Sequence, residues 1–150
     1  MFYELFVGRF PEVGYAETRT ALVTGRRDLP DGNYGFMELF CTDPACDCRR
    51  VIIQVIEEKA PDKVAATINY GWETVEFYRS WYHDEDGATE LVGASLEPLG
   101  KQGPHASALL RLFEHLLTDR NYVDRIPRHY EMFKRTQKAS SPRRKKPRRK

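Results

Sequence analysis

The pattern of apolar and polar residues predicts a series of antiparallel strands in the first half of the chain. β-branched and aromatic residues recur in four segments separated by Gly, Pro and charged residues. The segments are 18–24, 34–40, 49–56 and 64–70. Alternate residues from Val64 to Tyr70 would share one face, because successive side chains of a strand point to opposite sides. The pattern predicts a β-meander with one face available for helices.

The second half of the chain changes to a helical period. Helices are predicted at 73–82, 104–117 and 121–134, with a strand near 91–96 between the first two. Pro127 should start, kink or interrupt the last helix, because proline cannot donate a backbone hydrogen bond. Phe77, Tyr78, Trp81 and Tyr82 have the spacing of residues that pack a helix against a sheet. We therefore expect an α+β fold in which an antiparallel β-meander packs against two or three C-terminal helices.

Two sequence stripes define the packing faces expected for the last two helices. Apolar side chains recur at helical spacing in each segment. The first stripe is Leu109, Leu112, Phe113, Leu116 and Leu117, and the second is Tyr122, Ile126, Tyr130 and Phe133.

Length and charge divide the chain into a domain and a tail. At 150 residues, of which 41% are hydrophobic, the chain has enough material for one packed domain. All 22 acidic residues precede Lys134, with 14 of the 24 Lys and Arg, so residues 1–133 carry −8 and residues 134–150 carry +10. The terminal residues have no apolar periodicity. We expect a single α+β domain over 1–136 and a disordered basic tail over 137–150.

The N-terminal residues do not resemble a secretory signal. Glu4 precedes the apolar residues, and Gly8 and Arg9 interrupt them. No apolar run approaches the ~20 residues that span a bilayer. These features predict a cytoplasmic protein, in which thiols stay reduced.

The three cysteines of the chain lie within eight residues, between the second and third predicted strands. They are Cys41, Cys46 and Cys48. Three thiols cannot all pair as disulfides, but three can converge on one metal ion. We expect a zinc site that fixes the loop joining two strands. Packing of semi-apolar thiols, a redox thiol and an iron–sulfur cluster are the alternatives.

The sequence does not determine the fourth ligand of such a site. The meander brings Glu73 to the cysteine end of the sheet, so Glu73, Asp43 and water are the main candidates, with Asp47 or a histidine also possible. Three thiolates donate charge heavily to a metal, which favours a structural role over Lewis-acid catalysis. A metal- or thiol-dependent enzyme, with Asp43, Asp47 or Glu73 as base, is the alternative function.

The basic tail predicts a polyanionic partner. Its cations can bind RNA, the ribosome, DNA or an acidic protein through counterion release, without reading sequence. They are Arg143, Arg144, Lys145, Lys146, Arg148, Arg149 and Lys150. A tail that only solubilises the domain, or that folds back on its own acidic domain, is the alternative. The sequence as a whole indicates a zinc-stabilised adaptor domain without catalysis of its own.

Three segments of the chain resemble a group of small, poorly characterised bacterial proteins. They are the cysteine loop through Val51, the block 68–73 with Phe77 and Tyr78, and His129-Tyr130 with Phe133-Lys134. Some of those proteins carry a C-terminal zinc-binding SEC-C motif. This chain has Ser140 to Lys150 where that motif would stand, so the resemblance implies metal binding only through the internal cysteines.

Overall fold

A computed structural model describes residues 2–82 and 85–140, with backbone only at Glu85 and at residues 138–140. The strands are β1 (Tyr3–Leu5), β2 (Thr20–Val23), β3 (Gly32–Cys41), β4 (Arg50–Glu57), β5 (Val64–Gly71) and β6 (Gly93–Leu96). The helices are α1 (Phe6–Arg9), α2 (Pro11–Glu17), α3 (Val75–Tyr82), α4 (Glu85–Leu91), α5 (Ala106–Leu116) and α6 (Arg120–Ser140). The α+β class and the C-terminal helices predicted from the sequence are confirmed.

One antiparallel sheet contains all six strands. Its order is β1-β3-β4-β5-β6, and β2 pairs with the other end of β3. Leu39 lies opposite Ile52, and Ile52 lies opposite Asn69, so β3, β4 and β5 form the predicted meander. The cysteine loop joins β3 to β4, and β5 ends at the same edge of the sheet.

The core lies between one face of this sheet and the helices. Alternate residues of β3 and β4 point into it, including Phe36, Phe40, Val51 and Ile53, all without exposed surface. The two predicted helical stripes meet this face. Leu109, Leu112, Phe113 and Leu116 of α5 are buried, as are Tyr122, Ile126, Tyr130 and Phe133 of α6. Leu117, the last member of the α5 stripe, packs against the core from a partly buried position.

The N-terminal elements were not predicted from the sequence. Residues 3–17 form a short edge strand and two short helices, and Phe6 of α1 is almost fully buried. The two helices pack tightly, because a Cβ atom at Gly14 would lie 2.7 Å from the Val7 Cα. Aromatic and charged residues alternate here without a clear period, so only tertiary packing determines these helices.

The structure refines three expectations about the helices. Pro127 lies inside α6, so of the three roles expected for it, starting or interrupting the helix is excluded and a kink stays a prediction. Trp81 and Tyr82 of α3 are 42% and 52% exposed, so only Tyr78 has the full core position predicted for that helix. Helix α6 also continues through Ser140 and buries Gln137, so residues 137–140 belong to the helix. Residues 141–150 of the predicted tail lie outside the described residues.

Candidate metal centre

The three cysteine side chains converge at the edge of the sheet. Their Sγ atoms all lie within 4.8 Å of one another. Cys41 is the last residue of β3, and Cys48 lies two residues before β4 begins. Cys41 and Cys48 are buried, whereas Cys46 is partly exposed, and none of the three is in a disulfide. The cluster can therefore offer three thiolate ligands to one metal ion.

Local hydrogen bonds shape the loop around the sulfur atoms. The backbone N–H of Asp43 donates to the Cys41 Sγ at 3.5 Å. The Asp43 carboxylate accepts from the backbone N–H of Ala45 at 2.9 Å, which makes a side-chain turn. These two bonds hold the loop in the conformation that brings the sulfur atoms together.

Arg49 turns the chain directly after the last cysteine. Its φ of 48° is in the left-handed region, which non-glycine residues rarely adopt. Two tyrosines hold this backbone: the Arg49 N–H donates to the Tyr130 hydroxyl at 3.2 Å, and the Tyr78 hydroxyl donates to the Arg49 carbonyl at 2.8 Å. Strained conformations persist where their surroundings determine them, and they concentrate at functional sites.

Burial and mutual repulsion oppose ionisation of the free thiols. Burial, followed by the charges of Cys48 and Cys41, raises the pKa of Cys46 to about 12. Burial and Cys41 also raise the pKa of Cys48. Three like groups in one buried cluster cannot neutralise one another, so ionising them together requires a cation.

Lys134 supplies one positive charge beside the cluster. Its Nζ donates to the Cys41 carbonyl at 2.9 Å and to the Asp43 carbonyl at 3.1 Å, and the side chain is buried. Its charge opposes the burial that raises the pKa of Cys48. A divalent metal with three thiolates carries −1, so Lys134 would bring the site to neutrality.

Arg50 is a second buried cation at this end of the sheet. Its guanidinium donates to the Leu91 carbonyl and lies over the Tyr78 ring, 5.5 Å from the centroid. Burial lowers the pKa of Arg50, against the opposing charges of Tyr78 and Cys48. Gly71 is required beside it, because a Cβ there would lie 2.6 Å from the Tyr78 hydroxyl.

The carboxylates named from the sequence lie near the loop and have other partners. Glu73 is at the cysteine end as expected, with its Oε1 3.6 Å from Nη1 of Arg49. Asp47 pairs with Arg49 at 3.0 Å and accepts from the Tyr130 hydroxyl at 2.8 Å. Burial opposes ionisation of Asp47, but the bonds from Arg49 and Tyr130 outweigh it and lower its pKa. Among the described residues, no carboxylate or imidazole joins the three thiols within 4.8 Å.

Sequence reasoning missed Tyr3 and Lys134. Tyr3 pairs with Cys41 across β1 and β3, and burial followed by the charges of Cys48 and Cys41 raises its pKa to about 12. A lysine on the apolar stripe of a helix, one residue after Phe133, was the available signal for a buried cation. Tyr3 gave no comparable signal, because its short edge strand was not predicted.

A second buried polar cluster lies along the same strand and helix. His129 of α6 has no exposed surface, and its Nδ1 and Nε2 lie 2.7 Å from Glu38 of β3 and from Glu17 at the end of α2. The bond to His129 is the main cause of a lowered pKa of Glu17, and burial raises the pKa of Glu38. The signal for this cluster was Glu38 itself, the acidic residue on the inward face of β3.

The comparisons with known proteins add no family or function. No family model, no curated protein and no solved structure matches this chain. The resemblance to the small bacterial group therefore stays an expectation. In the part of the chain that the structure describes, no helix has both the length and the apolar character to cross a bilayer. The cations predicted to bind a polyanion, Arg143 to Lys150, lie outside that part.

Proposed function

We propose that this protein is a zinc-binding, non-catalytic adaptor domain whose metal joins β3 to β4 and whose basic C-terminus binds a polyanion. The observation that carries the proposal is the convergence of three Sγ atoms within 4.8 Å of one another at one loop. Thiolate sulfur is a preferred ligand of Zn²⁺, which binds it at ~2.3 Å. The soft ligand set also favours zinc over hard cations such as magnesium.

The position of the cluster supports a structural role for the metal. The three thiols belong to the connection between the two central strands, and Lys134 and Tyr130 link that connection to α6. A metal here would fix the loop, its left-handed residue and the end of α6 together. Asp43, Asp47 and Glu73, the bases that catalysis at this loop would use, are engaged with Ala45, Arg49 and Tyr130.

Metal analysis of the untagged, full-length protein tests the metal claim. We expect one equivalent of zinc in the wild type, and its loss in a Cys41→Ser/Cys48→Ser variant. The matched control is Ser107→Cys in the wild-type background, which adds a thiol at an exposed position away from the loop and should leave the zinc content unchanged. Less than about 0.2 equivalents of any transition metal, with all three thiols rapidly alkylated in the native protein, would remove the claim.

The binding of RNA by the C-terminus is a separate part of the proposal. Seven Lys and Arg lie between Arg143 and Lys150, while the rest of the chain up to residue 133 carries −8. If all seven contact phosphates of a single strand, the slope of log K against log salt should approach about −5. A variant lacking residues 141–150 should lose this binding.

Salt titrations with a single-stranded RNA measure this slope. A variant with the seven cations replaced by Gln keeps the length of the segment and isolates the effect of charge. Equal RNA retention by the wild type and the Gln variant at low salt would contradict the nucleic-acid part and favour an acidic protein partner or an inert segment.

A further inference from the structure

A cavity lies against the exposed side of the cysteine cluster. Its volume is about 290 Å³, and its wall includes Cys46, Arg49, Tyr130 and Lys134. Cys41 is 0% and Cys48 is 3% exposed, so both sulfurs are enclosed by the fold, and Cys46 is the thiol that borders the cavity. A ligand from solution can therefore approach the three sulfurs from the Cys46 side.

The protein supplies three of the four ligands that a tetrahedral metal needs. No carboxylate or imidazole of the described residues joins the three thiols. The nearby carboxylates have partners: Asp43 accepts from Ala45, while Asp47 and Glu73 face Arg49. These contacts hold the carboxylates in place, whereas a molecule in the cavity can approach the metal without moving them.

The cavity wall indicates what kind of molecule fits. Arg49 and Lys134 are balanced by Asp47 and Glu131, so the wall favours no net charge. Two N–H donors of Lys134 are used on backbone carbonyls, which leaves one of its three for a ligand. Three thiolates on a borderline-soft metal favour a fourth soft donor over a carboxylate.

We infer that the fourth position takes a low-molecular-weight thiol without net charge, which enters from solution through this cavity. The inference rests on the proposed metal binding and adds the ligand of that site. With a metal held by the three cysteines and a water in the fourth position, the thiol would lose its proton to solvent and bind through its sulfur as a thiolate, which adds one negative charge, and the water would leave. No atom changes oxidation state. The product is a metal with four sulfur ligands, three of them from the protein.

Cobalt substitution tests metal binding by the three cysteines and thiol binding at the fourth position separately. The full chain is loaded with Co²⁺, and the sulfur-to-cobalt charge-transfer absorption is followed as 2-mercaptoethanol is added. Because four Co–S bonds replace three, saturation should raise this absorption by about one third. Ethylene glycol, which has a hydroxyl in place of the thiol, should have no effect. Gel filtration checks that the cobalt stays with the protein.

Two alanine-to-phenylalanine variants, one in the cavity wall and one away from it, form a matched pair. Ala45 is exposed and lines the cavity without belonging to the metal ligands, so Ala45→Phe should keep cobalt binding and lose the thiol response. Ala16→Phe, at an exposed position of α2, should respond as the wild type does. An equal thiol response in Ala45→Phe would overturn the route through the cavity.

The outcomes separate failure of the inference from failure of the proposed function. Cobalt that binds through the three cysteines but does not respond to the thiol, or is extracted by it, overturns the inference and leaves the metal site standing. If the cobalt spectrum changes in the Tyr3→Phe variant but does not change when thiol is added, Tyr3 is the fourth ligand. That result also overturns the inference. Absence of cysteine-dependent cobalt binding removes both claims.

Discussion

Two buried polar clusters connect β3 to α6, and they are satisfied in opposite ways. Glu38, His129 and Glu17 combine an imidazole with two carboxylates, so each ring nitrogen has an acceptor 2.7 Å away. Cys41, Cys46 and Cys48 are three like groups whose mutual repulsion opposes ionisation. In the first cluster both ring nitrogens of His129 have partners within the protein, although Glu38 Oε2 is buried without one, whereas the thiols of the second need a cation before they can ionise together.

The difference determines what each cluster contributes. A buried cluster of unlike groups fixes the packing of its elements, and its contribution to stability depends on pH, because the folded-state pKa of Glu17 is lowered. A cluster of like groups of the same size would make the stability of the fold depend on an external ion.

Removing the metal should have the largest effect on stability. Binding to the native state alone stabilises it by about 4 kcal/mol when free zinc is at a thousand times its Kd. We therefore expect a strong chelator to lower the free energy of unfolding of the zinc-loaded protein by about that amount. Urea titrations followed by tryptophan fluorescence measure it.

The control for this effect is a Cys48→Ser variant, which should be less stable and insensitive to the chelator. If the wild type is also insensitive, although it contains zinc, then the metal does not contribute to folding and the comparison between the two clusters fails.

Replacing His129 should have the next largest effect. His129→Leu leaves the buried Glu38 without its partner, and an uncompensated buried charge costs about 3 kcal/mol. The double variant Glu38→Leu/His129→Leu should recover part of that loss, because it removes the stranded carboxylate as well. Urea unfolding of the wild type, the two single variants Glu38→Leu and His129→Leu, and the double variant gives the coupling free energy between the two side chains. A double variant less stable than His129→Leu would contradict the interpretation that the two buried side chains are partners.

Removing the positive charge beside the thiols should weaken metal binding without abolishing it. Lys134→Met keeps most of the side-chain volume and loses the ammonium near the thiolates, so we expect zinc affinity to fall about tenfold. Arg135→Met removes the same charge from the next, exposed residue and should change affinity little. Competition with a chromophoric chelator measures both. Equal affinities of the two variants would show that Lys134 does not stabilise the thiolates.

The smallest expected effect is the loss of stability at low pH that comes from the cluster of Glu17, Glu38 and His129. The bond to His129 lowers the folded-state pKa of Glu17 below its ordinary 4.5. A carboxyl with a lowered folded pKa contributes its stability above the unfolded pKa and loses it as pH falls through the folded one. Stability should thus decline below about pH 4.5, and Glu17→Gln should make that decline shallower. Urea midpoints between pH 3 and 7 measure the difference, and parallel curves would contradict it.

Regular periodicity made much of this fold predictable. The runs of apolar residues in β3 and β4, the alternation in β5 and the apolar stripes of α5 and α6 predicted elements that the structure contains, because each pattern extends through most of its element. Residues 3–17 have no such pattern, and their short helices form through contacts such as the buried ring of Phe6. Trp81 and Tyr82 have the spacing of packed helix residues but are exposed, so helical spacing alone did not show which residues of α3 reach the core.

The two polar clusters also differ in how far the sequence predicted them. The three cysteines could be found from the sequence because the residues are close together, although their fourth ligand could not. The partners of His129 lie 91 and 112 residues away, and spacing gives no information at that distance. Glu38 within an apolar alternation indicated that a partner exists without showing which residue it is.

The closeness of the cysteines also has a consequence for the order of folding. The loop that brings Cys41 and Cys48 together is short, so its closure costs little chain entropy, and the thiols can gather before the rest of the chain is organised. Lys134 reaches the Cys41 carbonyl across 93 residues, and His129 reaches Glu17 across 112. Such contacts form late, because distant segments must first meet. Zinc present during refolding should thus accelerate formation of the β3–β4 turn. Helix α6 then docks onto a loop that is already fixed.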